Sequence, residues 1–117
     1  MKPAPIKPDV SLDDLEKLDI RIGTIESVTE VPKSKKLMRL TVNFGDHSRN
    51  ILAGIKQERA DSKEIVGLQA LFVVNLRPRE MAGEVSEGMV LDIGFADGVI
   101  PVLAVPERPV PNGARAG

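Results

Sequence analysis

The stretch from Leu68 to Met89, LQALFVVNLRPREMAGEVSEGM, contains the two features that decide the fold. It begins with an almost wholly apolar run, which is typical of a strand buried on both faces of a sheet. We predict this strand from Leu68 to Leu76. The residues that follow include two arginines, a proline, two glycines and a serine. A buried strand is therefore expected to deliver polar groups to one rim of the fold.

Upstream of this stretch, the pattern predicts a capped helix followed by a long strand. Ser11 precedes leucines spaced every three residues from Leu12 to Leu18, with acids in the first turn, which indicates a short helix capped by the serine. Apolar residues then alternate from Ile20 until the phase shifts at Gly23. We predict one long strand that bends or bulges at this glycine, so that it can serve both sides of a barrel.

The remaining elements complete a small barrel. Residues 38–44 and 51–53 are predicted as strands around a hairpin turn at 45–48, and the polar segment 56–65 as a short helix stopped by Gly67. Residues 89–93 and 99–105 supply further strands around a turn at 96–98, and the prolines from Pro106 onward end regular structure. Strand, strand, strand, helix, strand, strand is the order of an OB-fold. We therefore expect an all-β protein, a five-stranded OB-fold barrel with short helices and a C-terminal extension.

Length and composition limit the possible functions. A chain of 117 residues with 42% apolar content is expected to form one domain around one core. The chain has no cysteine and one histidine, which excludes disulfides, thiolate zinc sites and cysteine nucleophiles. The first residues are rich in proline and lysine and contain no apolar segment typical of a signal peptide. We expect a soluble cytoplasmic protein that needs no cofactor.

The charge is distributed unevenly along the chain. The net charge is -1, but residues 33–59 contain seven basic and two acidic residues, a local balance of +5, which leaves -6 for the remainder. Such a molecule can present one positive face to a polyanion. The alternative is that these cations are solvated surface residues with no ligand.

Several motifs resemble one known family. They are the segment Asn75–Arg79, the segment Ser86–Met89, and the upstream segments Leu18–Thr24 and Ile51–Ile55. Together they resemble the tRNA-binding domain found at the C-terminus of many methionyl-tRNA synthetases and as free-standing dimeric tRNA-binding proteins. CsaA-type secretion chaperones share that fold. The resemblance implies that residues 11–117 form a tRNA-binding OB-fold domain. The proline- and lysine-rich start predicts a disordered N-terminal tail of residues 1–10.

The resemblance also implies a set of RNA contacts. In this family the serine and methionine of the second motif, with basic residues of the loop between the first two strands, are associated with tRNA contact. The loop of this chain lacks the His-Pro pair that is frequent in the family and has Val31-Pro-Lys33 instead. With the basic and polar residues of the first motif and second strand, the candidate RNA-binding residues are Lys33, Lys35, Lys36, Arg39, Asn75, Arg77, Arg79, Ser86 and Met89.

The side chains of this set have physical alternatives to RNA binding. Arg77 and Arg79 flank a proline that fixes φ, so a stiff turn would aim two guanidinium groups at phosphates, unless they pair with neighbouring glutamates. Ser86 offers a hydroxyl to a phosphate or ribose, or to a backbone group at the end of a strand. Met89 could pack against a base or sugar, or belong to the core.

The sequence favours binding over catalysis. Only three aromatic residues are present, and alternation places Phe44 and Phe72 inside, so stacking on bases should be minor. Without stacking, the protein is expected to recognise the shape and charge of a folded RNA, and this mode suits a protein that accepts many tRNAs. A serine hydrolase built from Ser86 and His47 is not expected, because His47 lies in a polar turn. If the protein assists aminoacylation, it does so by holding or delivering tRNA, with an aminoacyl-tRNA synthetase as a possible partner.

The resemblance implies a homodimer and leaves one other function open. Members of the family pair through the N-terminal helix and the proline-rich C-terminal segment, although the same helix could instead plug the barrel. The alternative function is a CsaA-type chaperone that binds extended peptide during export. The candidate dimer residues are Leu12, Leu15, Leu18, Pro106, Pro109, Val110 and Pro111.

Overall fold

A computed structural model describes residues 1–117 and shows a mostly β protein. None of its helices has the length and apolar character needed to cross a bilayer. Two 3-10 helices occupy Ser62–Ile65 and Phe95–Asp97. The other elements, in chain order, are α1 (Leu12–Glu16), β1 (Ile20–Glu30), β2 (Met38–Asn43), β3 (Ser48–Ala53), β4 (Gln69–Val73), β5 (Arg79–Met81), β6 (Glu84–Ser86), β7 (Met89–Val90), β8 (Asp92–Ile93) and β9 (Val102–Leu103).

The long first strand organises a five-stranded antiparallel sheet in the order β3-β2-β1-β4-β7. The first half of β1 pairs with β4 and the second half pairs with β2, so the strand serves two parts of the curled sheet as predicted. The bulge, however, lies between Ile25 and Ser27 and not at Gly23. A Cβ on Gly23 would lie 2.5 Å from Cγ1 of Val42, so this glycine is required by close packing.

One apolar cluster between the strands forms the core. Ile25, Leu40, Val42 and Ile51 are completely buried, and Phe72 packs edge-to-face against a second phenylalanine. The expected burial of Phe44 and Phe72 is confirmed, with exposed fractions of 3% and 0%. The sheet and its core make up the OB-fold expected from the sequence.

Residues 110–116, here called the C-terminal strap, lie along the sheet. The backbone of Ile22 donates to Ala114 and accepts from Gly113, and Ala116 donates to Ile20. Asn112 accepts a hydrogen bond from the hydroxyl of Thr24 at 2.7 Å. The prolines end regular structure as predicted, but the strap is anchored to β1.

Four sequence predictions need correction. The predicted strand 68–76 is shorter, since β4 ends at Val73, and its apolar flanks Leu68 and Leu76 are exposed by 44% and 41%. The predicted strand 89–93 divides into β7, which pairs with β4, and β8, which pairs with β9. The helix predicted over 56–65 is one 3-10 turn at its end. The strand predicted over 99–105 is only the two-residue β9, and the stretch after β4, to which the sequence assigned no element, contains the hairpin β5–β6.

Candidate functional site

The hairpin β5–β6 forms one rim of the barrel. Its two strands are joined by the two-residue turn Ala82-Gly83, whose φ angles of 51° and 80° are both positive. Two positive φ angles are typical of a type I′ turn, which matches the twist of the strands. Ala82 adopts this conformation at a cost of roughly 1 kcal/mol, because its Cβ approaches the following carbonyl oxygen. The turn therefore holds residues 79–86 in a defined arrangement beside β3.

A pocket of about 100 Å³ lies between this hairpin and the ends of β3 and β4. It brings together four of the predicted site residues, Arg77, Arg79, Ser86 and Met89. The other residues that line it were not among the predicted site residues, and they are Leu52, Leu76, Met81 and Gly88. The pocket thus combines an apolar surface with two arginines.

Arg77 and Arg79 are exposed and make no side-chain hydrogen bond or ion pair. The neighbouring glutamates form no ion pair with these two arginines. Glu84 binds Arg39, and Glu87 accepts a hydrogen bond from the backbone N–H of Asn50 at 3.0 Å. Every other arginine is engaged within the molecule, namely Arg21, Arg39, Arg49, Arg59, Arg108 and Arg115. The two free guanidinium groups therefore both lie at the pocket.

Ser86 is only 3% exposed, and its hydroxyl group makes two hydrogen bonds inside the protein. It accepts a hydrogen bond from the backbone N–H of Leu52 at 2.9 Å and donates one to the carbonyl of Gly88 at 3.0 Å. This is the alternative that the sequence left open, a backbone bond at the end of a strand. Ser86 consequently fixes the rim to β3, and direct RNA contact by its hydroxyl stays a prediction.

Arg39 is bound to the rim by a bidentate ion pair. Its Nε and Nη2 donate to the two carboxylate oxygens of Glu84 at 2.7 and 2.6 Å, and Nη1 donates to the hydroxyl of Thr29. The hydrogen bonds from Arg39 lower the pKa of Glu84 below its ordinary value, and the same contact raises the pKa of Arg39. Arg39 therefore holds the hairpin on β2, and fewer of its donors are available to a ligand.

Asn75 connects the end of β4 to the N-terminal helix. Its side-chain oxygen accepts from the backbone N–H of Asp19 at 2.8 Å, and its amide donates to the carbonyl of Lys17 at 2.7 Å. Both ends of the amide are occupied by these bonds. The asparagine thus positions the start of residues 75–88, here called the rim segment.

The three loop lysines are exposed and form no ion pairs, and one of them reaches the hairpin. A Cβ on Gly83 would lie 3.7 Å from Nζ of Lys33, so this ammonium group lies beside the turn of β5–β6. The hydroxyl of Ser34 accepts from the backbone N–H groups of Lys36 and Leu37, which orders the loop. The structure therefore brings Lys33 to the rim, while Lys35 and Lys36 lie on the adjoining loop.

Arg49 has a structural role that the sequence did not indicate. Its Nη1 donates to the carbonyls of Val74 at 2.6 Å and Glu87 at 3.1 Å, which links β3 to both ends of the rim segment. Its Nε donates to His47, whose other ring nitrogen contacts Asp46. No short-range signal could have revealed these contacts, because the partners lie 25 and 38 residues away along the chain.

The predicted dimer residues fall into two exposed or half-exposed segments. Leu12, Leu15 and Leu18 expose 68%, 55% and 45% of their surface, so the helix does not plug the barrel in the single chain. Pro106 and Val110 are half-buried beside β1 and β4, whereas Pro109 and Pro111 are exposed.

Comparison with known proteins places this geometry in context. A family model described as "Putative tRNA binding domain" matches residues 20–115. A methionine–tRNA ligase from Parabacteroides distasonis is 41% identical over 114 residues, and the chain spans 16% of the length of that relative. The crystal structure of a MetRS-related protein from Pyrococcus horikoshii has a TM-score of 0.85 and 31% identity, covering 95% of this chain and 100% of that one. The chaperone CsaA from Bacillus anthracis has a TM-score of 0.81 and 32% identity, covering 94% of this chain and 100% of that one.

Proposed function

Because this chain belongs to the tRNA-binding domain family, we propose that it binds tRNA by shape and charge and tolerates many sequences. The most direct support comes from Arg77 and Arg79, which form no internal ion pair and line the pocket beside the hairpin β5–β6, here called the rim pocket. Guanidinium groups bind phosphate oxygens in a bidentate way, and these two need not break an internal ion pair to do so.

The loop lysines extend this cationic rim. Lys33 lies beside the hairpin turn, and Lys35 and Lys36 are exposed on the same loop without ion pairs. The other basic residues of the window 33–59 are occupied by internal contacts, at Arg39, Arg49, Lys56 and Arg59. We infer that the local excess of positive charge reaches the ligand through the loop lysines and the two rim arginines.

The remaining predicted contacts have different roles in this proposal. Arg39, Asn75 and Ser86 position the rim through internal bonds, whereas Met89 is 45% exposed at the pocket and can touch the RNA. The protein itself supplies no chemistry in this function. It holds or delivers tRNA in the cytoplasm and assists an aminoacyl-tRNA synthetase in trans, which is consistent with its similarity to the methionine–tRNA ligases.

We further propose that two copies act together as a homodimer. A five-residue helix that exposes all of its leucines leaves an apolar surface that a second copy can cover. The half-buried Pro106 and Val110 would contribute to the same interface, with Pro109 and Pro111 at its edge. A dimer presents two rims and can bind one folded RNA more tightly than one rim does.

A second candidate function is the binding of extended peptide. It is favoured by the similarity to the CsaA chaperones of Bacillus anthracis and Picrophilus torridus, with TM-scores of 0.81 and 0.80. The rim pocket also has an apolar surface that a peptide side chain could occupy. The unpaired arginines favour a polyanion over a basic peptide, so we rank tRNA first.

The test is a fluorescence-anisotropy titration with unfractionated tRNA at two salt concentrations. The double variant Arg77→Ala/Arg79→Ala should bind at least about tenfold more weakly, and the slope of log K against log salt should fall by about 2, one for each phosphate contact. Lys63→Ala is the control, because Lys63 is an exposed cation on the 3-10 helix Ser62–Ile65 and lines neither the pocket nor the proposed dimer interface. If the wild-type protein fails to bind tRNA at low salt but binds an unfolded polypeptide, the chaperone function replaces this proposal.

A further inference from the structure

The rim pocket has more apolar surface than a phosphate site requires. Leu52, Leu76, Met81 and Met89 line it together with the two free arginines. A phosphate group is bound by N–H donors and gains nothing from contact with leucine or methionine side chains. The apolar residues therefore imply a ligand that has an apolar face as well as a negative charge.

We propose that this pocket binds a single unpaired nucleobase of the RNA, with the adjoining phosphate on Arg77 and Arg79. This proposal rests on the proposed function and deepens it from backbone contact to base contact. Thioether groups make favourable contacts with aromatic rings, and guanidinium groups stack on bases. The two methionines and two arginines thus replace the aromatic side chains that usually bind bases, since Phe44 and Phe72 are buried in the core.

The size and polarity of the pocket further define the ligand. A volume of about 100 Å³ is comparable to that of one ring system. The hydroxyl of Ser86 is already bonded to Leu52 and Gly88, so it is not free to read the edge of a base. The pocket therefore contacts the face of a base and not its edge. Because every base has a similar face, all four bases should bind with similar affinity.

The methionines provide a direct test by NMR. The chain has four methionines, and Met38 is buried in the core while Met1 is at the N-terminus, so isotope-labelled methyl groups report on the pocket and on two internal controls. We would titrate the full chain with AMP, CMP, GMP and UMP, and with ribose 5-phosphate, which has the same phosphate and sugar but no base. The Met81 and Met89 signals should shift with all four nucleotides and not with ribose 5-phosphate. Equal shifts with ribose 5-phosphate, or no shift with nucleotides and with tRNA, would overturn the proposal.

Variants separate base contact from phosphate contact on tRNA itself. Met81→Ser/Met89→Ser should weaken tRNA binding about tenfold without changing the salt slope, because no charge is removed. The control is Val85→Ser, which lies on the same hairpin with 52% exposure and does not line the pocket. If tRNA binds through the arginines but the methionine variants bind as tightly as wild type, the base pocket is wrong while the proposed function stands. If tRNA does not bind at all, both fail.

Discussion

Ser86 illustrates how a residue associated with ligand contact can act through the protein scaffold. Its buried hydroxyl joins β3 to the segment between β6 and β7 by one accepted and one donated hydrogen bond. Its removal leaves the N–H of Leu52 and the carbonyl of Gly88 without their partner in a buried place. Loss of tRNA binding on substitution would therefore not by itself prove direct contact.

Ser86→Ala should lower the free energy of unfolding by about 1–3 kcal/mol, which is the usual cost of orphaned buried polar groups. Urea denaturation of wild type and variant measures this difference. Ser48→Ala is the matched control, because Ser48 is exposed and makes only a long bond of 3.4 Å to Glu26, so its effect should stay within about 0.5 kcal/mol. Equal stability of Ser86→Ala and wild type would contradict the structural role.

The hairpin β5–β6 depends on a contact between distant parts of the chain. Arg39 on β2 and Glu84 on β6 are 45 residues apart and form the bidentate pair that holds the hairpin against the sheet. Because the hydrogen bonds from Arg39 depress the pKa of Glu84, the ionised carboxylate is favoured in the folded state. The pair therefore contributes stability above the ordinary glutamate pKa of 4.5, and this contribution is lost as pH falls through the depressed value.

Glu84→Gln isolates this effect from the other carboxylates. Asp19 and Asp46 also have lowered pKa values from their hydrogen bonds to Arg21 and His47, but they are present in both proteins and cancel in the comparison. Wild type should be more stable than the variant at neutral pH, and the difference should shrink once the pH falls below about 4.5. Thermal or urea unfolding across this range measures it. A difference that does not change down to acid unfolding would show that the pair does not stabilise the hairpin.

The C-terminal strap belongs to the fold because its backbone passes very close to the turn after β2. A Cβ on Gly113, at φ 88°, would lie 2.3 Å from the carbonyl oxygen of Phe44, so both the backbone conformation and the space require glycine. Gly113→Ala should cost more than about 2 kcal/mol of stability. The control is Gly67→Ala, where φ is 92° but no atom lies within 4 Å, so only the cost of the conformation, about 1 kcal/mol, is expected. Equal losses for the two variants would mean that the strap can move away.

The sequence predicted the parts of the molecule that depend on local patterns. Alternation of apolar residues predicted β1 to β3, and the continuous apolar run predicted β4. The cap at Ser11 is confirmed by its bond to the N–H of Asp14 at 3.2 Å. The hairpin β5–β6 was missed because its turn is Ala82-Gly83 and lacks the Asn-Gly or Asp-Gly signal of type I′ turns. The free and paired arginines could not be told apart, because their partners are brought close only by the folded sheet.

At the scale of the whole molecule, α1 and Leu18 just after it leave an apolar surface that a second copy can cover. The exposed fractions of Leu12, Leu15 and Leu18 refer to a single chain, and a homodimer would bury them. Leu15→Glu would place a charge in that interface, and burial of an unpaired charge is costly. We expect wild type to sediment as a dimer and Leu15→Glu as a monomer, with tRNA affinity lowered at least about tenfold because the two rims no longer act together.

Val66→Glu is the control, since Val66 is similarly exposed at 44% but lies at the end of a 3-10 helix outside the proposed interface. If wild type is a monomer and Leu15→Glu binds tRNA with the same affinity as wild type, the proposed dimer is wrong and one rim is sufficient for binding.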